Sequence, residues 1–540
     1  MLGQWGTMSE MLRLLKRIVR IDSIVGTDGE KRMGEELVRI LKEHSYFRSS
    51  KERIVTIPIP NDPLKRFGVA AIYQGEKINR KAFVLLSHFD VVGVEDVGRN
   101  KSFIFDIDRY ASALLREEIP MKVREQLESG DWIAGRGVMD MKAGLVVQLA
   151  VLGHIIEKEI PVNIILLAVP DEERNSEGML QAVEWLANWK EAERVDEIIG
   201  ICSEPSFSSY PGDESNYIYK GSIGKMLPLI CAIGLETHVG EPLAGVNASW
   251  MMAELVSEIE LSPVFQENVD GERTPLPTCL KLSDTKSNYD VQTATFAYTY
   301  VNVLLIKQTV ENVLNKVKQA ASISAERTHQ RLLRRFKEEG INKRTPVKPA
   351  VYLYSELLEE AKVLYGKEVE RVLHEVEVKC TGQDSRDLSV SLAYTLTSFF
   401  KARAPFYLIL VAPPFYPSVQ LCQSNKLEQR MMEEIKELIK WAQEEFGETI
   451  TEKAYFGGLS DVSYSRLANA EMTRTMLTGE MPALGKGYQL PLDAIKRLDM
   501  STVNIGPYGE DAHKWTERLF VPYFTNVTPN LINKFIEKMM

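Results

Sequence analysis

Two residues that can do metal chemistry stand at the end of an apolar segment. The segment VLLSHFDVVG, residues 84–93, reads as a buried β-strand that ends on His88 and Asp90. Side chains two positions apart in a strand share a face, so the carboxylate is predicted to orient the imidazole and free its other nitrogen for a metal. Because a single histidine at a strand end is more often structural, the metal hypothesis requires ligands elsewhere in the chain.

Four further segments carry residues of the metal-ligand type. Asp140 lies in the turn GRGVMDMKAG before a predicted helix, and Glu172 and Glu173 follow the apolar run IILLAVP. Glu204 ends the segment IGICSEP, and His513 lies in a Gly-rich loop that is predicted to open a helix. Ligands in open α/β sheets bind beyond the carboxyl ends of the strands. We therefore expect these side chains to converge with His88.

Each of these acids also has an ordinary explanation. An acid before a helix is usually an N-cap or a partner of the helix dipole, and consecutive acids usually form a solvated turn. A buried strand that delivers Glu172 and Glu173 to one sheet edge nevertheless places repelling carboxylates together, and a cation removes that cost. Two imidazoles and three carboxylates suit Zn²⁺, with Co²⁺ or Mn²⁺ as alternatives. The proposed ligands are His88, Asp140, Glu173, Glu204 and His513.

The pattern of apolar residues predicts how these residues are positioned. Continuous apolar runs alternate with helical periodicity over the first 215 or so residues, which is typical of an α/β fold with a sheet covered on both faces. From about residue 217 the order becomes β-α-β-β-α-β, the split βαβ layout. We predict an α/β domain of residues 1–216 and 355–540, interrupted by a smaller α+β domain of residues 217–354.

Composition excludes several classes of function. The chain has 540 residues and a formal net charge of −10, which argues against a general nucleic-acid binder and favours small-molecule or short-peptide substrates. Its five cysteines form no CxxC pair, which favours a reducing, cytoplasmic compartment. No apolar stretch approaches 18 residues, so we expect no membrane span. The segment GLSDV is not a G-x-S-x-G elbow, which argues against a serine hydrolase.

The order of the motifs resembles one known family. SHFDVV, GRGVMDMKAG, PDEE, SEP, GLETHVG, GGLSDVS and GPYGEDAHKWTE together resemble the dinuclear-zinc metallopeptidases that include carboxypeptidase G, aminoacylase, acetylornithine deacetylase and succinyl-diaminopimelate desuccinylase. The resemblance spans nearly the whole chain. The long segment between Gly93 and Gly135 and the motif VAPPFYPS are similar to its arginine-utilisation protein branch. The resemblance implies a three-layer α/β/α catalytic domain and a ferredoxin-like lid that forms a homodimer.

The resemblance also implies a role for each ligand. Asp140 bridges two divalent metal ions. One ion is completed by His88 and Glu204, and the other by Glu173 and His513. The implied cofactor is a pair of zinc ions in each chain, with cobalt or manganese as alternatives.

Three further residues receive catalytic roles from the resemblance. Asp90 lies behind His88, and Glu172 is the general base that takes a proton from a metal-bridging water as it attacks an amide carbonyl. His238, in GLETHVGEPLAGVNAS, polarises the scissile carbonyl, across the dimer in dimeric members. Without the resemblance, His238 would be interpreted as an exposed turn histidine.

The family arginine that binds the substrate carboxylate has no counterpart in the segment TATFAYTYVNVLL. Arg386, Lys225 and Lys220 are alternatives, and the sequence does not choose among them.

We therefore predict a metal-dependent amidohydrolase that cleaves a peptide or an N-acyl amino acid, in arginine or amino-acid catabolism. The alternative is a catalytically silent binding or accessory protein on the same scaffold. The presence of Glu172 favours the enzyme, because a base that binds no metal has little structural reason to be there. We expect neither a nucleic acid nor a membrane as partner.

Overall fold

The computed structural model describes residues 4–75, 80–206, 213 and 215–540. Its helices are α1 Met8–Val19, α2 Asp28–Glu43, α3 Ser45–Ser49, α4 Ile107–Leu114, α5 Met121–Ser129, α6 Lys142–Glu157, α7 Glu177–Ala192, α8 Ala248–Ile259, α9 Val310–Glu338, α10 Tyr354–Tyr365, α11 Lys367–Lys379, α12 Ser385–Ser398, α13 Lys426–Phe446, α14 Ala470–Glu480, α15 Leu492–Leu498 and α16 Thr528–Met539. Short 3₁₀ or π turns lie at Lys51–Arg53, Glu95–Asn100, Pro263–Phe265, Lys401–Arg403, Asp461–Ser465 and Tyr523–Val527.

The strands are β1 Ile54–Pro58, β2 Phe67–Gln74, β3 Lys81–His88, β4 Trp132–Ala134, β5 Asn163–Val169, β6 Glu197–Cys202, β7 Asn216–Tyr219, β8 Gly221–Ser222, β9 Gly224–Ile233, β10 Asn268–Val269, β11 Glu272–Arg273, β12 Thr278–Asp284, β13 Phe296–Leu305, β14 Ala350–Leu353, β15 Phe406–Tyr416, β16 Val419–Gln420, β17 Ile450–Lys453, β18 Ser501–Asn504, β19 Gly509–Glu510 and β20 Arg518–Phe520. The chain divides into two compact units. The first contains Met1–Ile223, Val419–Leu467 and Asp493–Met540, and the second contains Gly224–Ser418 and Ala468–Leu492.

The first unit is built on a mixed sheet in the order β1-β2-β5-β3-β6-β18-β7-β17. Phe83 and Leu85 of β3 join a core with residues of α1, α6 and α16, and the intervening Val84 and Leu86 are equally buried. A strand buried on both faces needs the continuous apolar sequence that these segments have. The α/β fold predicted from the sequence is confirmed.

Strands β5, β3 and β6 are adjacent and parallel, so their carboxyl ends meet at one edge of the sheet. His88 pairs in register with Val169, the last residue of β5, and Leu86 pairs with Cys202, the last residue of β6. The segments that follow β5 and β6 carry Glu172, Glu173 and Glu204. The sheet therefore brings these acids to the level of His88.

The second unit has a sheet in the order β12-β13-β9-β15-β14. The phenol of Tyr407, on β15, donates to the carbonyl of Met251 in α8 at 2.7 Å and lies 2.8 Å from the hydroxyl of Ser324 in α9. Helices α10, α11 and α12 share a separate core with Leu408 and Leu410 of the same strand. Helices thus cover both faces of this sheet.

The boundaries of the smaller unit differ from the predicted range of 217–354. Residues Asn216–Tyr219 belong to the first sheet, whereas Phe406–Tyr416 pairs with β9 and β14 in the second. The βαββαβ order is present, but β15 occupies the place beside β9 that the final strand of a split βαβ unit normally takes. Because β15 is buried on both faces, its sequence is indistinguishable from an interior strand of the α/β sheet, and the prediction assigned it there.

No helix within the residues that the structure describes combines the length and apolarity needed to cross a bilayer.

Candidate active site

His88 is held at the end of β3 with one ring nitrogen toward the backbone and the other toward acids. Its Nδ1 lies 3.1 Å from the carbonyl oxygen of Asp90 and 3.4 Å from that residue's carboxylate. Its Nε2 lies 3.3 Å from Oδ1 of Asp140 and 3.8 Å from Oε1 of Glu204. A proton on Nδ1 that is donated to the Asp90 carbonyl leaves Nε2 free to bind a cation.

The Asp90 carboxylate has a second set of partners that the sequence did not indicate. Its two oxygens accept the backbone N–H groups of Glu172 at 3.2 Å and Glu173 at 3.0 Å. The sequence predicted that this carboxylate orients His88, but the nearer partner of the imidazole is the Asp90 backbone carbonyl. Asp90 therefore connects the end of β3 to the turn that follows β5.

Asp140 lies in the turn before α6, and its peptide bond to Met141 is cis. The carboxylate of Glu517 accepts the backbone N–H groups of Met139 at 3.1 Å and Asp140 at 3.3 Å, and it pairs with Arg136 at 3.1 Å. Glu517 thus holds the loop that presents Asp140. Glu517 was not predicted from the sequence, because its position four residues after His513 in HKWTE does not indicate a contact with the turn before α6.

His513 lies in the loop between β19 and β20, which form an antiparallel hairpin. The predicted helix after His513 is therefore wrong, and the residue instead adopts a left-handed conformation with φ of 66°. Its Nε2 lies 3.0 Å from Oδ2 of Asp140 and 2.9 Å from Oε1 of Glu173. The side chain is 48% exposed, so this end of the site is the more open one.

The donor atoms form two clusters that share Asp140. Within each cluster the donor atoms lie within 4.8 Å of one another. Zinc–ligand bonds of about 2.0–2.1 Å in a tetrahedron place the ligand atoms roughly 3.3 Å apart, and the separations of 2.9–3.8 Å between individual donors match that spacing. The donor set therefore fits a zinc pair. The clusters are His88, Asp140 and Glu204, and Asp140, Glu173 and His513.

Without a bound cation, the carboxylates of the site repel one another. Burial raises the pKa of Glu204 well above its usual value, and nearby carboxylates raise it further, although His88 opposes them. Burial opposes the charged form of Asp140 too, but hydrogen bonds with His513 and His88 hold the pKa of that carboxyl below its usual range. Burial lowers the pKa of His513, but its hydrogen bonds with Asp140 and Glu173 outweigh burial and raise the pKa to about 11. A cation bound among these groups would favour the ionised carboxylates and reduce the repulsion between them.

Glu172 points into the same space without belonging to either cluster. Its side chain is 8% exposed, and Oε2 lies 3.9 Å from Nε2 of His88. Burial raises the pKa of Glu172 well above its usual value, with His88 acting in the opposite sense and Glu204 adding to the rise. The donor atoms of His88, Glu172 and Glu173 also converge, so distance alone does not assign the base.

His238 lies in the second unit with a defined hydrogen bond. Its Nδ1 accepts the backbone N–H of Gly240 at 3.0 Å, and its backbone pairs with Gln292. The neutral ring therefore carries its proton on Nε2, which makes that nitrogen a donor. His238 is exposed, as expected of a turn histidine.

The structure distinguishes the three basic residues that were considered for a substrate carboxylate. Lys220 pairs with Glu452 at 3.5 Å, and Arg386 pairs with Asp384. Lys225 is half-buried on β9 and has no ion pair within the described part of the chain. Burial and the charge of Arg386 both lower the pKa of Lys225.

Comparison with known families decides the identity of this scaffold. The model of peptidase family M20/M25/M40 matches residues 84–477. The chain belongs to this family. The match contains every predicted site residue except His513. As a member of family M20, the chain is a metal-dependent, peptidase-like hydrolase, in agreement with the resemblance found in the sequence.

Relatives of this M20-family chain align over nearly its full length. Protein YqjN of Bacillus subtilis is 36% identical over 544 residues, which cover 99% of this chain and 97% of that protein. Protein RocB of the same organism is 29% identical over 528 residues, which cover 96% of this chain and 93% of that protein. The M20 family metallo-carboxypeptidase Sso-CP2 of Sulfolobus solfataricus shares the fold, with a TM-score of 0.53 at 13% identity over 98% of this chain and 99% of that one.

Proposed function

We propose that this chain hydrolyses the amide bond of a short peptide or an N-acyl amino acid and that it uses two zinc ions. One observation carries the proposal: the two carboxylate oxygens of Asp140 face different histidines, His88 at 3.3 Å and His513 at 3.0 Å. A carboxylate placed in this way is suited to bridge two cations. Cobalt or manganese would fit the same donors.

His88 and Glu204 would hold one ion, Glu173 and His513 the other, and Asp140 both. The bound pair would supply Lewis acidity that activates water and stabilises negative charge on the carbonyl oxygen. Glu172 would accept the proton of the attacking water and deliver it to the departing amine nitrogen. Its position supports this role, because Glu172 belongs to neither cluster that shares Asp140, yet its Oε2 lies 3.9 Å from Nε2 of His88.

His238 would donate its Nε2 proton to the substrate carbonyl, and we propose that it does so across a homodimer. The tautomer fixed by Gly240 supports the donor role. A dimer through the second unit is supported by β12, an edge strand on which Leu280 is 55% exposed and Leu282 is 50% exposed. An edge with unpaired backbone groups and exposed apolar side chains is suited to pair with another strand.

The relation to the arginine-utilisation branch supports a role in arginine or amino-acid catabolism. Substrates would accordingly be amino-acid derivatives, and the test is a screen of the zinc-loaded protein against N-acyl amino acids and dipeptides, read by amine release. Turnover that depends on metal and on Glu172 supports the proposal. Substrate binding by the zinc-loaded protein without any amine release would instead support the silent binding protein.

A further inference from the structure

Arg66, in the loop between β1 and β2, is the centre of a buried ion-pair network in the first unit. Its side chain is 7% exposed. It contacts four carboxylates, those of Glu30 at 3.1 Å, Asp62 at 3.0 Å, Asp171 at 2.6 Å and Glu177 at 3.1 Å. No other cationic side chain forms an ion pair with these acids in the described part of the chain. One guanidinium therefore contacts all four acids.

Asp171 links this network to the candidate active site. It is the residue before Glu172 and has a left-handed backbone with φ of 72°. One of its carboxylate oxygens pairs with Arg66, and the other accepts the N–H of Glu177 at 3.2 Å, the first residue of α7. Its carbonyl accepts the N–H of Ser176 at 2.7 Å. Asp171 therefore fixes both ends of the turn that carries Glu172 and Glu173.

This turn is held from two sides. The Asp90 carboxylate accepts the N–H groups of Glu172 and Glu173, and Arg66 binds the side chain of Asp171. A non-glycine residue in the left-handed region is strained and persists only where its surroundings enforce that conformation. A short ion pair to a rigid, planar guanidinium supplies that constraint.

We propose that Arg66 is a positioning residue that holds Glu173 against its metal-binding partners through Asp171. The inference rests on the proposed function, because that proposal assigns Glu173 to the metal ion that it would hold with Asp140 and His513. Glu173 lies 2.9 Å from His513, and it alone among the proposed ligands is carried by the turn that Arg66 holds.

The first metal cluster provides an internal reference. His88, Asp140 and Glu204 lie on β3, before α6 and after β6, respectively. No hydrogen bond or ion pair joins Arg66 to any of these three residues in the described structure. Loss of Arg66 should therefore weaken the ion held by Glu173 and His513 and leave the ion held by His88 and Glu204 largely unchanged.

The test is a Co²⁺ titration of the metal-free full-length protein, followed by calorimetry and by visible absorption. Wild type should bind two ions. Arg66→Met should bind the ion held by Glu173 and His513, called the second ion, roughly 10–100-fold more weakly, which is the usual effect of removing an outer partner of a ligand. Its affinity for the ion held by His88 and Glu204, called the first ion, should change by less than about threefold. Arg66→Lys should recover part of the loss, since it keeps the charge near Asp171 but not the guanidinium geometry.

Arg17→Met is the matched control. Arg17 also pairs with two acids in the first unit, Glu36 and Glu43, and its replacement should leave both affinities unchanged. Thermal unfolding reports whether each variant is folded. If Arg66→Met does not fold, Asp62→Asn provides the test, because Asp62 binds Arg66 from the side away from the turn. This variant should bind the second ion more weakly than wild type, by a smaller factor than Arg66→Met, and should bind the first ion unchanged.

Equal weakening of both ions, or of neither, in the folded Arg66 and Asp62 variants would overturn the positioning role. Wild type that binds a single ion would overturn both this inference and the dinuclear assignment. A selective loss of the second ion, combined with no amine release from any substrate in the wild-type screen, would support the role of Arg66 and reject the proposed hydrolysis. The two proposals therefore fail in different ways.

Discussion

Replacement of Asp140 by alanine should remove both metal ions. Each cluster then keeps only two of its three donors. Structural zinc sites with four ligands bind with about 10–16 kcal/mol, or about 2.5–4 kcal/mol for each ligand. Since about 1.4 kcal/mol corresponds to a tenfold change, the affinity for each ion should fall roughly 10²–10³-fold.

The measurement is elemental analysis after dialysis against buffered free zinc at a concentration that just saturates wild type. Wild type should retain about two ions and Asp140→Ala none. Asp131→Ala, which removes an exposed aspartate of the same unit, should retain two. Chelator should also lower the unfolding temperature of wild type and leave that of Asp140→Ala unchanged, because only a protein that binds the ions is stabilised by them.

Two ions in Asp140→Ala would refute the bridging role. One retained ion would show that a single cluster depends on this carboxylate, and the geometry with His88 and His513 would then have another explanation.

Three further outcomes are expected. Glu172→Gln should keep two ions and lose about 10²–10⁴-fold in turnover, measured on any substrate found in the screen; loss of an ion would make Glu172 a ligand instead of the base. His238→Ala and Glu172→Gln, each nearly inactive, should recover about a quarter of wild-type activity when refolded together as mixed dimers, and no gain despite exchange shown by a tag would place His238 in its own chain's site or in none. Burial and the charge of Asp90 raise the pKa of Glu30 to about 8 from 4.5, so the folded state holds this proton between those pH values and stability should fall as pH rises through that window. Glu30→Gln should flatten this dependence in thermal unfolding from pH 5 to 8.5, and an unchanged slope would mean that Glu30 does not titrate there.

The sequence predicted those parts of the site that depend on where strands end. His88, Glu173 and Glu204 follow apolar runs, and because β5, β3 and β6 are adjacent and parallel, their ends converge. The roles assigned to these residues remain predictions. His513 was identified from its Gly-rich loop as a residue of the metal-ligand type, and the helix expected after it proved to be a hairpin because the loop returns into β20.

Long-range supporting contacts were not predictable from local patterns. Arg66 and Glu517 are charged residues in polar stretches, and only the folded chain shows that each holds a loop bearing a site residue. The end of the smaller unit was misplaced for a related reason. An apolar run such as Phe406–Tyr416 indicates burial on both faces but does not indicate which sheet the strand joins.

The position of β18 in the sheet affects how the nascent chain can fold during translation. β18 lies between β6 and β7, yet about 300 residues separate β6 from β18 along the chain. At about 5–20 residues per second, translation needs roughly 15–60 seconds to cover that distance. During this interval the β6 edge of the nascent sheet has no neighbour on the side that β18 will occupy, and such an edge is a template for aggregation. His513 emerges later still, so a nascent chain can assemble His88, Asp140 and Glu204 well before the second cluster has all its donors.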